Sequence, residues 1–261
     1  LHWPIPGYGI AYSPIGKNAT FITMVTLNNI LFLDIETVPQ YDSYDKMPPE
    51  WKALWGLKAA YLIRNKEEET VETVYNRAGI YSEFGKIVCI SVGIIQGYNP
   101  TKKLVLKSFC GDDEKEVLLQ FVEMLKRWAT DANKCLCAHN GKEFDFPFLC
   151  RRMIIHNIPL PAILNTRGKK PWEINHLDTM DLWRFGDYKT FTSLNLLACT
   201  LGIPTPKDDI DGSMVWEVYW IEKNLERIVC YCQKDVVTVA QVYLRMTGEE
   251  LIAADSIEIK Q

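Results

Sequence analysis

The chain has 261 residues, 48% of them hydrophobic and 24% charged, with a formal net charge of -4. This is enough apolar material for one large core. The slight acidity excludes a protein that grips nucleic acid by overall basicity, so a nucleic-acid partner would need a local basic groove.

Residues 1–23 are rich in proline and glycine, show no clear period and lack the charged start and apolar centre of a signal peptide. They read as a vector-derived or disordered leader; the rival reading is a true extension packed through Trp3, Tyr8 and Tyr12. The first methionine is Met24, and one domain is expected over 24–261.

Residues 30–35 (ILFLDI) form an apolar run that reads as a buried strand. Pro48-Pro49-Glu50 opens a helical stretch, and Glu67, Glu68 and Glu69 suit the first turn of a second short helix. Together they predict a helical insertion over 41–80, between the first two strands. Residues 87–95 and 103–109 read as strands joined by a turn at 97–100. A helix follows over 112–129, with Val117, Leu118, Phe121, Val122 and Leu125 on one face. Then come a strand at 135–139, a helix at 144–156, an edge strand at 174–178, and helices at 193–201, 214–220 and 222–246. The crossover through 112–139 places the first strand parallel to the strand at 135–139. The fold class is therefore α/β, a mixed central sheet flanked by helices, with ligands expected at the carboxyl ends of the parallel strands.

The eight cysteines lie mostly in apolar runs and lack CxxC spacing. They read as core thiols of a reducing, cytoplasmic compartment, not as a disulfide scaffold or a zinc site. No apolar run is long enough to cross a membrane.

Three acidic stretches carry the chemistry. In LFLDIETVPQ, Asp34 and Glu36 share one side of a strand end. Two carboxylates so close repel, and they can share a proton or a cation; exposed strand-end acids and a helix cap are the alternative readings. In HNGKEFD, Asn140-Gly141 suits a turn and Asp145 a helix start. In YCQKD, Tyr231 and Asp235 share a helix face at i,i+4. Taken together, four carboxylates near element ends fit a dinuclear site of hard oxygen ligands for Mg²⁺ or Mn²⁺, acting on a phosphodiester.

DIET at 34–37, HNGKEFD at 139–145 and YCQKD at 231–235 stand in the order and form of the three exonuclease motifs of the DEDD superfamily. The tyrosine of the third motif resembles the DEDDy branch. EFGKIVCISVG at 83–93 and HNGKEFDFPFL at 139–149 are similar to a stand-alone bacterial family of predicted 3'-5' exonucleases related to the proofreading domain of family B DNA polymerases. The resemblance covers about 28–247. It implies a ribonuclease H-like fold and catalysis by Asp34, Glu36, Asp145, Tyr231 and Asp235. Asp34 would bridge two Mg²⁺ or Mn²⁺ ions, Glu36 and Asp235 would complete the first, Asp145 would support the second, and Tyr231 would hold the attacking water. It also implies substrate contacts from Thr37, Asn140 and Phe144.

The resemblance further implies removal of nucleotides from a free 3' end of nucleic acid, single-stranded DNA first, releasing 5'-mononucleotides. A 3'-5' exoribonuclease and a catalytically inactive nucleic-acid-binding module are the alternatives. Phe84, Tyr81, Phe146, Trp183 and Phe185 are candidates for base stacking, and Lys142, Arg151, Lys169, Lys170 and Lys189 for phosphates. Asp178 is expected as a cap and Asp181 as a helix-start acid. His139 is expected to hydrogen-bond at a strand end, since Tyr231 takes the position of the DEDDh histidine. Protein partners in a repair or replication complex are expected; a membrane is not.

Overall fold

The first strand, β1 (Ile30–Pro39), alternates between two cores. Leu31, Leu33 and Ile35 point to one face of the sheet, while Ile30 and Phe32 point to the other. This period-two separation buries the strand on both faces. A computed structural model describes residues 26–64, 66–170, 173–187, 189, 191–204 and 210–260. The leader expected at 1–23 lies outside them.

β2 (Gly85–Gln96) pairs antiparallel with β1, and β3 (Lys103–Cys110) antiparallel with β2. The chain then crosses over through α2 (Glu114–Trp128) to β4 (Cys135–Ala138), which lies parallel to β1 as the crossover predicts. β5 (Leu177–Asp178) and β6 (Ile257–Lys260) complete a six-stranded mixed sheet in the order β5-β4-β1-β2-β3-β6. Helices on both faces make this the expected ribonuclease H-like α/β arrangement.

Asp113 caps α2 by accepting the backbone N–H groups of Lys115 and Glu116. The apolar face of α2 and α3 (Asp145–Ile155) cover one side of the sheet through Val117, Phe121, Phe148 and Met153. Buried Glu114 fastens these layers: it accepts from Arg152 Nε at 2.8 Å and from the Ile87 N–H at 2.8 Å. The long helix α7 (Leu225–Met246) covers the other side through Val236, Val239, Ala240 and Tyr243. Gly93 permits this approach, because a Cβ there would meet Val236 Cγ1 at 2.9 Å.

The insertion between β1 and β2 has a core of its own. α1 (Pro49–Leu62) packs Trp55 and Ala59 against Val74, Tyr75 and Ala78, and Trp55 Nε1 donates to the Val71 carbonyl at 2.9 Å. The second helix expected after Glu67 is absent; turns lead instead to a 3-10 helix at Tyr75–Ile80. Thr70 and Thr73 explain this, since their hydroxyls capture nearby backbone groups and compete with a helical ladder.

Three shorter helices complete the fold: α4 (Thr179–Arg184), α5 (Leu194–Thr200) and α6 (Val215–Trp220). The edge strand is shorter than the expected 174–178. His176 Nδ1 takes the Leu136 N–H at 3.3 Å, so a side chain replaces one rung of the ladder. All eight cysteines are free thiols. Among the described residues, no helix is long and apolar enough to cross a membrane.

Candidate active site

β1 is longer than its parallel partner. Pairing with β4 stops at Phe32 and Cys137, yet β1 continues to Pro39. Asp34 and Glu36 therefore lie in mid-strand and not at a strand end, which corrects the expectation. The element that ends beside them is β4. The N–H of Ile35, past that last rung, favours the charged form of Asp145 at the start of α3.

Asp34 and Glu36 continue the Phe32 side of the strand toward α7. There the Cys232 thiol lies 3.3 Å from Asp34 Oδ2, and the possible ligand atoms of Asp34, Glu36 and Cys232 all fall within 4.8 Å of one another. Tyr231 and Asp235 flank Cys232 on the helix, and the Tyr231 hydroxyl hydrogen-bonds Asp235. The structure thus brings together all five residues singled out as catalytic.

Their ionisation reports how closely they interact. Burial pushes the Asp34 carboxyl well above its ordinary range, and the charges of Glu36, Asp235 and Asp145 push it further. Glu36 is raised in the same way, by burial and then by Asp235. Asp145 is 3% exposed and pushed up to about 7, mainly by burial, against the opposing hydrogen bonds from its own N–H and that of Ile35. The Tyr231 hydroxyl is driven above the usual phenol range by burial and by Asp235, Glu36 and Asp34. It therefore stays a neutral donor across the physiological range. Burial also raises the Cys232 thiol, so that it remains S–H and donates to Asp34.

The loop after β4 is shaped by two backbone demands. Asn140 sits at φ 61°, a left-handed turn that asparagine tolerates. Gly141 is required next, since a Cβ there would stand 2.4 Å from Ala138 Cβ. Asp178 holds the loop, accepting the Asn140 N–H at 2.9 Å and the Lys142 N–H at 3.0 Å, while also capping α4. His139 Nε2 donates to the Thr192 carbonyl at 2.8 Å, and its Nδ1 is bonded to the Thr179 hydroxyl. Both residues do what the sequence suggested for them. Asn140 Oδ1 is buried without a hydrogen-bond partner among the described residues, an unusual state for a polar atom.

The substrate candidates divide. Thr37 is half-buried at the register irregularity between Glu36 and Thr37. Phe144 precedes α3 and packs on Phe148 with ring centroids 5.5 Å apart. Lys142 pairs with Asp181 at 3.2 Å. Phe84 requires a correction: its ring is wedged edge-on against Trp51 and Trp55, at 5.7 and 5.3 Å, in the core of the insertion. It has no open face for a base. Cys232 was not singled out from the sequence, although its place between Tyr231 and Asp235 was a usable signal.

A family described as predicted 3'-5' exonuclease related to the exonuclease domain of PolB matches residues 80–254, a span that includes Asp145, Tyr231 and Asp235. A solved structure of the family B DNA polymerase from the hyperthermophilic archaeon Pyrobaculum calidifontis is similar at 16% identity, with a TM-score of 0.46, over 83% of this chain. This chain spans 25% of that polymerase's length. No curated protein matches. By the extent of the family match, the chain belongs to the predicted 3'-5' exonucleases related to the exonuclease domain of PolB.

Proposed function

We propose that the protein is a divalent-metal-dependent 3'-5' exonuclease that hydrolyses single-stranded DNA from its 3' end and releases 5'-mononucleotides. The observation that carries this reading is the convergence of Asp34, Glu36, Asp145 and Asp235 beside Tyr231. Burial and mutual repulsion raise the first three above their ordinary range. Such a cluster is poorly stable as bare anions and well suited to cations.

The donor set fits Mg²⁺ or Mn²⁺, because carboxylate oxygens are the hard ligands those ions prefer. Asp34, Glu36 and Asp235 would hold one ion, and Asp34 with Asp145 a second. When bound, the ions supply charge neutralisation at the phosphate and acidify water.

The chain's own residues do the rest. Asp34 is fixed by the Cys232 thiol and by its place in a central strand. The Ile35 N–H favours the charged form of Asp145. Tyr231, neutral and hydrogen-bonded to Asp235, orients the attacking water by donating or accepting a hydrogen bond, and does not take its proton. Asn140, with Oδ1 unpartnered, offers an acceptor to the terminal nucleotide, and Phe144 beside it an apolar surface.

The test is cleavage of single-stranded DNA and of RNA of the same sequence with Mg²⁺ or Mn²⁺, by the wild type and by Asp34→Ala. The reading expects DNA shortening that needs metal and is abolished by the substitution. Metal-independent cleavage, or equal cleavage by Asp34→Ala, would refute it. Preference for RNA would transfer the reading to an exoribonuclease, since this chemistry serves either backbone.

A further inference from the structure

Four cations from three segments line one cavity. Lys142 comes from the loop after β4, Arg151 from α3, and Arg167 and Lys169 from the loop before β5. The cavity holds about 500 Å³, and half-buried Pro147, Leu160 and Ile174 give it an apolar floor. This is the size and character of a pocket for a nucleotide-sized ligand.

The charge balance is one-sided. The acid on the rim, Asp181, is engaged by Lys142 at 3.2 Å and by Arg184 at 3.3 Å. Among the described residues, no ion pair includes Arg151, Arg167 or Lys169. Arg167 has only the neutral Asn165 Oδ1, at 3.0 Å. In a chain of formal net charge -4, three such cations around an apolar floor suit an anion that carries an apolar group. His176 beneath the floor adds no charge: burial lowers it to about 4, and its ring lies edge-on to Phe146 at 5.1 Å. A simple anion would gain nothing from the floor. A nucleotide has both parts.

The cavity and the carboxylates share α3. Asp145 opens the helix. Phe146, the next residue, lines the cavity. The first turn of α3 thus joins the two sites in sequence, with Asp145 among the carboxylates and Phe146 and Pro147 at the cavity.

We propose that this cavity binds a nucleotide unit of the substrate strand upstream of its 3' end, with the base against Leu160 and Ile174 and the phosphates at Arg151, Arg167 and Lys169. The assignment rests on the exonuclease reading above and adds to it the site that grips the strand.

The experiment is fluorescence anisotropy of a labelled 12-nucleotide single strand in EDTA, so that no cleavage intervenes. The proteins are the full chain, Arg151→Ala/Lys169→Ala, and the exposed control Lys115→Ala on α2. Expected are a roughly tenfold loss of affinity in the double variant, a log-log salt slope shallower by about 1.4 for two lost phosphate contacts, and no change in the control. Equal affinity in all three proteins, or equal loss in the control, would overturn the assignment. So would a polyglutamate peptide of the same charge that binds as tightly as the strand. Metal-dependent cleavage with strand binding unchanged in the double variant refutes the cavity alone. Strand binding that depends on these residues supports the cavity even if no cleavage is found with Mg²⁺ or Mn²⁺, which refutes the exonuclease reading alone.

Discussion

The Cys232 thiol lies 3.3 Å from Asp34 Oδ2 and 3.4 Å from the Asp34 carbonyl oxygen, joining α7 to the carboxylate at the centre of the cluster. A thiol is a weak donor, but this one is buried and kept protonated, and it aims the carboxylate toward Glu36. Cys232→Ala removes the donor and leaves a small gap. The expected result is a Mn²⁺ affinity lower by roughly 1 kcal/mol, about fivefold, in isothermal titration calorimetry. Cys232→Ser restores a hydroxyl donor and should recover most of it. Equal affinities in all three proteins would remove the positioning role.

The raised carboxylates make stability depend on pH and metal in a linked way. A carboxyl whose folded pKa exceeds its unfolded value favours the protonated folded state. The metal-free protein should therefore lose stability as pH rises from the unfolded carboxylate range near 4 through about 7 for Asp145. In EDTA, the melting temperature should fall more between pH 6 and 8 for the wild type than for Asp145→Asn. Mg²⁺ should raise it more at pH 8 than at pH 6. A metal shift that is equal at both pH values would contradict the coupling.

Tyr231→Phe tests the role of the phenol separately from its ring. The ring packs with Ile228 and Cys232, so the variant should fold and bind Mn²⁺ as the wild type does. Its kcat should fall roughly 10²-fold, with KM little changed. Because the hydroxyl titrates above the usual phenol range, the wild-type pH–rate profile should show no tyrosine limb below pH 9. A kcat equal to that of the wild type would leave water positioning to other groups.

Phe84→Ala distinguishes a core ring from a stacking platform. Lost contacts to Trp51 and Trp55 should destabilise the protein by about 3–5 kcal/mol in urea, with affinity for a single strand unchanged at low temperature. A variant of normal stability that binds the strand weakly would reverse that conclusion.

What the sequence made legible follows from local physics. The buried alternation of β1, the amphipathic period of α2 and the capping turn at Asn140-Gly141 all express themselves within a dozen residues. So did Asp34, Glu36, Asp145, Tyr231 and Asp235, each at a recognisable place on an element. The rest depends on distant parts of the chain. β6 (IEIK) alternates apolar and charged residues, but at four residues it is too short to stand as a strand without its pairing to β3. Phe84 resembled a surface aromatic until the insertion folded around it. Cys232 gains its role because Phe32, Asp34 and Glu36 turn one side of β1 toward α7. The basic cavity needs four cations spread over residues 142–169 to meet at one floor.

The central claim is that the carboxylate cluster removes nucleotides one at a time from a 3' end. The most direct measurement follows a 5'-labelled single-stranded DNA with Mn²⁺ under single-turnover conditions, with and without a 3'-terminal phosphorothioate linkage. Expected is a ladder descending by one nucleotide from full length, delayed by the modified linkage and absent with Asp34→Ala. A labelled mononucleotide as the first product, internal fragments, or an intact strand while calorimetry shows Mn²⁺ bound would contradict it.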